Sequence, residues 1–529
     1  MFRYKYLLST LLLLFPVLVF SQVQGNSPGS SSLFNIFLDG LGWGFVSVLQ
    51  PCLYAMFPVT VSFFLKRSNT RAHGIKNASL YSISIISIFT LLGLLVTVIF
   101  GTATLYQLST SAVFNLFVFV LFVIFGISFL GAFDITLPSS WTNKADSKSN
   151  LGSYSGIFFM ALTLVLVSFS CTAPFIGKIL VDVTQHKARL APLFGFLGFS
   201  TAIALPFAFF AFFPGLLNKI AKSGGWLNSM KVSFGFIELA MSLKFLSNAD
   251  LAYHWRLLDR DVFLAIWIVL FGLLGLYLLG SLKLKHDDHL PSNDYGHPYL
   301  SVPRLFFAIS SLAFTIYMIP GLFGAPLNGI SGWLPENKTQ EFNLEKLIRD
   351  SNLRGQDSSH NNSTHVIKPK KYTDILQSEI PGVEVFFDFE EALAAAKELK
   401  KPVMIDFTGH SCANCRKMES EVFSKEQVSK ILSEDIIVVS LYVDEKTALP
   451  DNEKYISKFD GSKITTVGAK NLDFEASLAN SNAQPLYIFT DDNGKVITNA
   501  GGYASGVDRF VKILKEVKAE NMKRNNPVN

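Results

Sequence analysis

The stretch from Asn77 to Phe133 contains no Asp, Glu, Lys or Arg, and no other feature restricts the fold of this chain as strongly. A helix that crosses a bilayer needs about 20 apolar residues, so this stretch is long enough for two. Further uncharged runs cover 151–177, 190–217, 262–282 and 305–335, and less regular apolar stretches cover 34–65 and 232–247. The pattern predicts a multi-pass α-helical membrane domain with about eight transmembrane helices.

The composition agrees with a membrane protein. Only 16% of the residues are charged, against about 25% in soluble domains. The net charge of +5 is modest for 529 residues and gives no indication of a nucleic-acid partner.

The first 21 residues have the features of a signal peptide. Arg3 and Lys5 precede the apolar run 7–20, and Ser21 supplies a small residue for cleavage. An uncleaved signal anchor is the alternative, and both interpretations place residue 22 outside the cytoplasm. Residues 22–32 read as a linker, and the predicted inward-facing loops hold more Lys and Arg than the outward-facing ones.

The carboxyl-terminal part changes character. Residues 326–382, which become polar from Pro335 onward, are predicted to be a linker, 383–520 are predicted to form a soluble α/β domain, and 521–529 a polar tail. Predicted strands cover 383–387, 402–407, 436–443, 486–489 and 495–498, and predicted helices cover 389–400, 412–423 and 507–517. Strands that alternate with helices and then close with a hairpin and a helix indicate a thioredoxin-like fold.

Cys412 and Cys415 form a CxxC motif where a predicted strand turns into a helix. A helix amino terminus stabilises a thiolate, which is the species that attacks a disulfide. The alternative is half of a zinc site, which would need two more ligands. The predicted domain holds no other Cys, and we expect His410 to be an exposed loop residue, so the redox interpretation is favoured.

The string VMIDFTGHSCANCRKMESEVF, residues 403–423, resembles the thioredoxin superfamily and specifically the outer domain of DsbD-type proteins. That resemblance implies that Asp406 is a buried acid that accepts the proton of the resolving cysteine, and that Glu419 is a second acid near the pair. The alternatives are a solvent-facing Asp406 at a strand edge and an ordinary surface charge at Glu419. Ser411 stands where the family usually has Trp.

Gln484 and Pro485, before the strand LYIF, match the family's cis-proline site. The resemblance implies that these residues and Ser411 contact the backbone of a partner protein. A trans proline at a strand start is the alternative.

The two remaining cysteines lie in predicted transmembrane helices, Cys52 within QPCLYAMFP and Cys171 within SFSCTAPF. Prolines beside both predict interrupted helices, and the offset of three spans predicts an inverted 3+3 repeat. Two unrelated buried cysteines are the alternative. The region 33–325 resembles the transmembrane domain of DsbD and CcdA proteins, although Ala55 and Ser170 replace two of the family's prolines.

Two ionisable residues fall inside a predicted span. Glu238 either faces a polar cavity or has a structural role, and Lys244 is expected to reach the membrane surface from a helix end.

The resemblance implies a protein-disulfide reductase of the Gram-negative inner membrane with its thioredoxin-like domain in the periplasm. Cytosolic thioredoxin, itself reduced at the expense of NADPH, would reduce Cys52–Cys171, which would reduce Cys412–Cys415. Disulfide-bearing periplasmic proteins, apocytochromes among them, would receive the electrons in support of cytochrome c maturation, and no bound cofactor or metal is expected. DsbD proteins usually begin with another outer domain, which receives electrons from the thioredoxin-like domain. Here only the predicted linker 22–32 separates the predicted signal peptide from the first predicted span. We therefore expect the thioredoxin-like domain to pass electrons directly to separate proteins.

Two rival functions stay open at this point. One is a membrane transporter with a metal-capturing CxxC outer domain, which predicts further His, Met or Cys near the motif. The other is an exporting oxidase, which would need a quinone or flavin partner.

Overall fold

A computed structural model of the chain describes residues 33–48, 76–77, 79–95, 110–133, 158, 161–162, 165, 191–212, 224–284, 300–344, 347–348, 368–380, 382–459, 461–504 and 506–525. The chain divides into two compact units, one of 1–109, 121–238 and 283–299 and one of 110–120, 239–282 and 300–529. The predicted signal peptide, the predicted linker 22–32, Cys52 and Cys171 lie outside the described residues. The membrane disulfide and the inverted repeat therefore stay predictions.

Seven helices precede the thioredoxin-like domain in the described part of the chain. They are α1 Leu33–Val48, α2 Ser79–Leu95, α3 Ala112–Phe129, α4 Ala191–Phe212, α5 Gly224–Tyr253, α6 Arg260–Leu278 and α7 Val302–Met318. Among the described residues, four stretches are long and apolar enough to cross a bilayer: Ala112–Phe129, Pro192–Phe209, Arg260–Leu278 and Val302–Phe323. They coincide with four predicted spans, which confirms a membrane domain, whereas the count of eight stays a prediction.

The last predicted span is too long in the sequence analysis. Helix α7 passes into a 3-10 turn at Ile319–Phe323, and Gly324 then adopts a left-handed φ of 100°. Such a glycine ends a helix because it lacks a Cβ. Residues 324–335 therefore form turns and a short 3-10 helix at Ser331–Trp333, although their apolar composition predicts membrane.

In the first unit, α1 and α4 pack through glycines. A Cβ on Gly198 would overlap the carbonyl oxygen of Phe37, and a Cβ on Gly44 would lie 2.6 Å from the Cβ of Ala202. Small residues that allow close backbone approach are typical of helix pairs in membranes.

In the second unit, polar contacts fold the segment after α7 onto the ends of the helices. The Arg260 guanidinium donates to the carbonyl of Pro335 at 2.7 Å, and the Gln340 amide donates to that of Gly321 at 2.8 Å. The Trp267 indole donates to the carbonyl of Ala240 at 2.9 Å. The contacts of Pro335 and Gln340 thus hold residues 326–340 against these helices, although this segment falls in the predicted linker 326–382.

The carboxyl-terminal domain contains a five-stranded mixed sheet of order β1-β3-β2-β6-β7. Strands β1, β3 and β2 are parallel, and β6 and β7 continue the sheet antiparallel. The strands are β1 Val385–Phe386, β2 Val403–Thr408, β3 Ile437–Tyr442, β6 Leu486–Thr490 and β7 Val496–Gly501; the short pair β4 Tyr455–Ile456 and β5 Lys463–Ile464 forms a separate hairpin. The helices are α8 Phe389–Leu399, α9 Ala413–Met418, α10 Glu426–Asp435, α11 Val467–Ala479 and α12 Val507–Asn525.

This topology confirms the thioredoxin-like prediction. Every predicted strand and helix of the domain is present, and most ends are shifted by a few residues; the last helix, predicted to end at 517, runs to Asn525, into the predicted polar tail. The Asp491–Gly494 turn joins β6 to β7. Helices α10 and α11 and the β4–β5 hairpin are additions to the predicted elements.

The sheet has apolar contacts on both faces. Met404 and Phe489 belong to one core with α9, α10 and α12, whereas Phe407 contacts Phe474 of α11. All six side chains of β2 are buried, as expected for a strand covered on both faces. Leu376 and Ile380 are 1% and 4% exposed and belong to the first core, so the domain's core includes residues before the predicted start at 383.

Candidate active site

The Cys412–Cys415 pair is a disulfide at the amino terminus of α9. Strand β2 ends at Thr408, and four residues later Cys412 is the N-cap of the helix, where its sulfur accepts the backbone N–H of Cys415 at 3.1 Å. Cys415 is 2% exposed, whereas Cys412 is partly exposed. This geometry leaves Cys412 as the sulfur that a partner can reach, as predicted.

Asp406 is buried below the disulfide-bearing loop on the central strand. It is 4% exposed and accepts a hydrogen bond from the Ser440 hydroxyl at 2.9 Å. Burial raises the pKa of Asp406 to about 6. The alternative of a solvent-facing Asp406 is wrong, and its role as proton acceptor stays a prediction.

Glu419 is also buried, so the interpretation as an ordinary surface charge is wrong. It lies one residue beyond α9, at the start of the π-helical segment Glu419–Phe423, and is 6% exposed. The Arg416 guanidinium donates to its Oε1 at 2.7 Å. Burial raises the pKa of Glu419 well above its usual range even with Arg416 beside it.

The Gln484–Pro485 peptide bond is cis, as predicted, and the role of these residues in binding a partner is untested. The side-chain amide of Gln484 donates to Glu475 at 2.6 Å. Glu475 is fully buried, and burial raises its pKa to about 8. Sequence reasoning missed this residue because it lies in α11, which was not predicted.

Ser411, in the place of the usual Trp, is held by Asp444. The backbone N–H and the hydroxyl of Ser411 both donate to Asp444 Oδ2, at 3.0 and 2.9 Å, and the N–H of His410 donates to Oδ1 at 2.9 Å. One carboxylate at the end of β3 therefore fixes the loop that leads into Cys412.

His410 is not the exposed loop residue that the sequence suggested. It is 1% exposed, with Nδ1 3.0 Å from Glu336 Oε1 and Nε2 2.9 Å from Glu445 Oε2, and its ring stacks on Tyr442. Burial lowers the pKa of His410, but the two carboxylates outweigh burial and raise it to about 9. A protonated imidazole that donates from both nitrogens explains why this residue is buried.

Arg416 and Glu336 are the other residues that sequence reasoning missed. Arg416 follows Cys415 and is 4% exposed, and its NH1 lies 2.9 Å from Glu336 Oε1. Glu336 is fully buried and also pairs with Lys338 at 2.7 Å. A charged residue beside a CxxC motif was visible in the sequence, but its partner lay in the predicted linker.

One cluster of described residues has the composition of a cation site. His254, His410 and Glu445 place their donor atoms within 4.8 Å of one another. Nε2 of each imidazole lies within hydrogen-bond distance of Glu445, at 3.0 and 2.9 Å, so hydrogen bonds account for the cluster. The zinc interpretation of CxxC is weakened because the disulfide leaves neither sulfur as a thiolate ligand.

The two ionisable residues of α5 are both buried. Glu238 is 0% exposed, and neither of its carboxylate oxygens has a hydrogen-bond partner among the described residues. Lys244 is 9% exposed, so its side chain is buried within the protein, and the expectation that it reaches the membrane surface stays a prediction. The helix continues to Tyr253, which places Lys244 well inside it.

Two protein families match the chain. "Cytochrome C biogenesis protein transmembrane domain" matches residues 33–249, and "Thioredoxin-like domain" matches residues 389–518. Together with the fold and the CxxC disulfide, they define an integral membrane protein that carries a thioredoxin-like redox domain. In this combination of domains the chain is similar to DsbD-type proteins.

Several relatives match most of the chain. The thiol:disulfide interchange protein DsbD of Pseudoalteromonas atlantica is 26% identical over 413 residues, which cover 77% of this chain and 60% of the relative. DsbD of Vibrio vulnificus is 26% identical over 405 residues, covering 75% and 56%. The chain thus spans about 60% of the length of the curated relatives it matches.

Proposed function

We propose that this protein is a membrane-bound protein-disulfide reductase that passes electrons outward by thiol–disulfide exchange. The observation that carries the proposal is the Cys412–Cys415 disulfide, with one sulfur accessible and the other buried, on a thioredoxin-like domain attached to a DsbD-type membrane domain. The relatives named thiol:disulfide interchange proteins support it.

Each step exchanges one disulfide for another. In the reduced domain, the Cys412 thiolate attacks a client disulfide, and one client sulfur leaves as a thiolate. Cys415 then attacks Cys412 in the mixed disulfide, which restores Cys412–Cys415 and releases the client as a dithiol. The client gains two electrons and two protons, and the domain loses the same number.

The buried acids suit the proton transfers of this cycle. A thiol must lose its proton before it attacks, and Asp406 and Glu419 are buried carboxyl groups with raised pKa values. We assign Asp406 the predicted role of proton acceptor for Cys415, and Glu419 the predicted role of a second acid near the pair.

The source of electrons in this proposal is the membrane domain. Cytosolic thioredoxin, kept reduced by NADPH, reduces Cys52–Cys171, and that dithiol reduces Cys412–Cys415 in the periplasm. The protein then resides in the inner membrane and uses no bound cofactor. Its clients are periplasmic disulfide proteins, including apocytochromes, in line with the description of the matched transmembrane family.

The test is the redox state of Cys412–Cys415 in growing cells, measured by a thiol-alkylation gel shift in a Cys52→Ala/Cys171→Ala variant and in the unaltered chain. We expect the unaltered pair to be largely reduced when cytosolic thioredoxin is present, and oxidised when thioredoxin is depleted. The variant should be oxidised in both conditions. A pair that stays reduced in the variant would exclude the relay.

A further inference from the structure

One carboxylate from outside the thioredoxin fold reaches the two buried cations that flank the CxxC motif. Glu336 Oε1 lies 3.0 Å from Nδ1 of His410, two residues before Cys412, and 2.9 Å from NH1 of Arg416, directly after Cys415. Glu336 itself is fully buried. His410 and Arg416, one on each side of the CxxC motif in the sequence, therefore share the carboxylate of Glu336.

Within the thioredoxin fold each cation has one further carboxylate. His410 Nε2 faces Glu445 at 2.9 Å, and the Arg416 guanidinium donates to Glu419 at 2.7 Å. Arg416 thus pairs with Glu336 through NH1 and with Glu419 through NH2 at the same time. Removing one partner from a buried ionic group leaves charge uncompensated, so its other contacts must change.

The position of Glu336 depends on the membrane helices. The backbone N–H of Arg260, the first residue of α6, donates to the Thr339 hydroxyl at 3.2 Å, and its guanidinium donates to the carbonyl of Pro335. Glu379 accepts the backbone N–H groups of Asn337 and Lys338, both at 3.2 Å. The residues on both sides of Glu336 in the sequence are therefore held by hydrogen bonds, to Arg260 of α6 and to Glu379.

The same segment contacts the active-site helix directly. The Ser420 hydroxyl donates to that of Ser331 at 3.0 Å. A Cβ built on Gly332 would lie 3.1 Å from the carbonyl oxygen of Ala413, so the backbone of the segment lies close to α9.

We propose that Glu336 is a positioning residue of the redox site, which holds Arg416 and His410 in place and offsets their charge near Cys412–Cys415. This inference rests on the proposed thiol–disulfide function. Nearby cations stabilise a thiolate and hence the reduced pair. Glu336 therefore keeps the pair more strongly reducing than the thioredoxin fold alone would make it.

The test is the equilibrium between Cys412–Cys415 and glutathione, measured by alkylation in the full-length chain purified in detergent. A Cys52→Ala/Cys171→Ala background leaves one titrating pair. Reduction of the pair consumes two molecules of glutathione and yields one of glutathione disulfide, so electrons and protons balance. We expect Glu336→Gln to shift this equilibrium toward the reduced pair by about tenfold, the effect of one unit of thiol pKa.

Three variants separate positioning from general damage. Glu341→Gln removes the same charge from an exposed residue nearby and should leave the equilibrium unchanged. Glu336→Asp keeps the charge, so its equilibrium constant with glutathione should be close to that of the unaltered pair. Gly332→Leu alters no charge but pushes the segment from α9, so it should shift the equilibrium in the same direction as Glu336→Gln, and it supplies the measurement if the Gln variant does not fold.

The outcomes distinguish the two proposals. If the unaltered pair is not reduced by glutathione or a stronger dithiol, the proposed function fails. A different result is that the unaltered Cys412–Cys415 pair is reduced by glutathione, with Glu336→Gln and Gly332→Leu both giving the same equilibrium constant as Glu341→Gln. In that case only the positioning role of Glu336 fails.

Discussion

The burial of Asp406 affects both the free energy of unfolding of the domain and the proton exchange proposed for this carboxyl group. A carboxyl group that is 4% exposed on the central strand favours the protonated form. The same property that suits it to exchange protons with a thiol makes its ionised form unfavourable in the folded protein.

This gives a prediction with a definite sign. Burial raises the pKa of Asp406 from 3.8 to about 6, so the folded state binds more protons than the unfolded state between these values. Stability is therefore lost as pH rises from about 4 to about 6, and the loss is complete above that range, at about 3 kcal/mol. Asp406→Asn should raise the free energy of unfolding at pH 7.5 by about 2 kcal/mol and change it little at pH 4.

Urea unfolding of an oxidised soluble fragment from Lys368 onward checks this at both pH values. Asp374→Asn, which changes an exposed aspartate, is the control. An equal gain at both pH values would show that the effect is not the titration of Asp406.

At the scale of elements, the close packing of α1 and α4 predicts which glycines are replaceable. Gly198→Ala should destabilise the membrane domain because its Cβ would overlap the backbone of α1. Gly272→Ala in α6 should be tolerated, since its Cβ would meet only the methyl group of Thr315 at 3.7 Å. Thermal inactivation of the protein in detergent compares the two, and equal midpoints would contradict the packing.

The start of the thioredoxin-like domain gives another prediction. A fragment from Val383 lacks Leu376 and Ile380, so it should be less stable than a fragment from Lys368. In the longer fragment, Leu376→Ala should cost about 2–5 kcal/mol, whereas Leu376→Met should cost less than about 1.5 kcal/mol. Urea denaturation measures both, and fragments of equal stability would show that these side chains are dispensable.

Local patterns predicted the elements that carry strong signals. The apolar run of β2, the Asp491–Gly494 turn and the helix after Cys412 all appear as expected. Helix α11 was missed because VGAKNLDFEASLA carries no clean apolar periodicity, although Thr466 caps it through the N–H of Ala469. The burial of His410 could not be predicted, because it depends on Glu336 and Glu445, which are far from it in sequence.

At the scale of the whole molecule, the order of the two domains was readable from charge and hydropathy. What the sequence did not reveal is that residues 326–340, which look like a linker, are part of the structure around the redox site. Polar composition indicates solvent exposure on average, whereas here polar side chains satisfy one another in a buried ionic cluster.

The proposed function predicts that separate proteins receive the electrons. Cys415→Ala removes the resolving sulfur, so exchange should stop at a mixed disulfide between Cys412 and its client. Expression of this variant in the native host should yield periplasmic adducts that a reductant releases, identified by mass spectrometry. Cys412→Ala/Cys415→Ala should yield none, and adducts only between copies of the chain would contradict transfer to clients.

Ser331 and Gly332 belong to the same polypeptide as the helix they contact. Two surfaces joined in one chain meet without the concentration dependence that a separate partner faces. A separate client is therefore at a disadvantage in competing for that face of α9. Natural clients should instead approach through Ser411 and Gln484, which stay partly exposed, and their affinity should be set there.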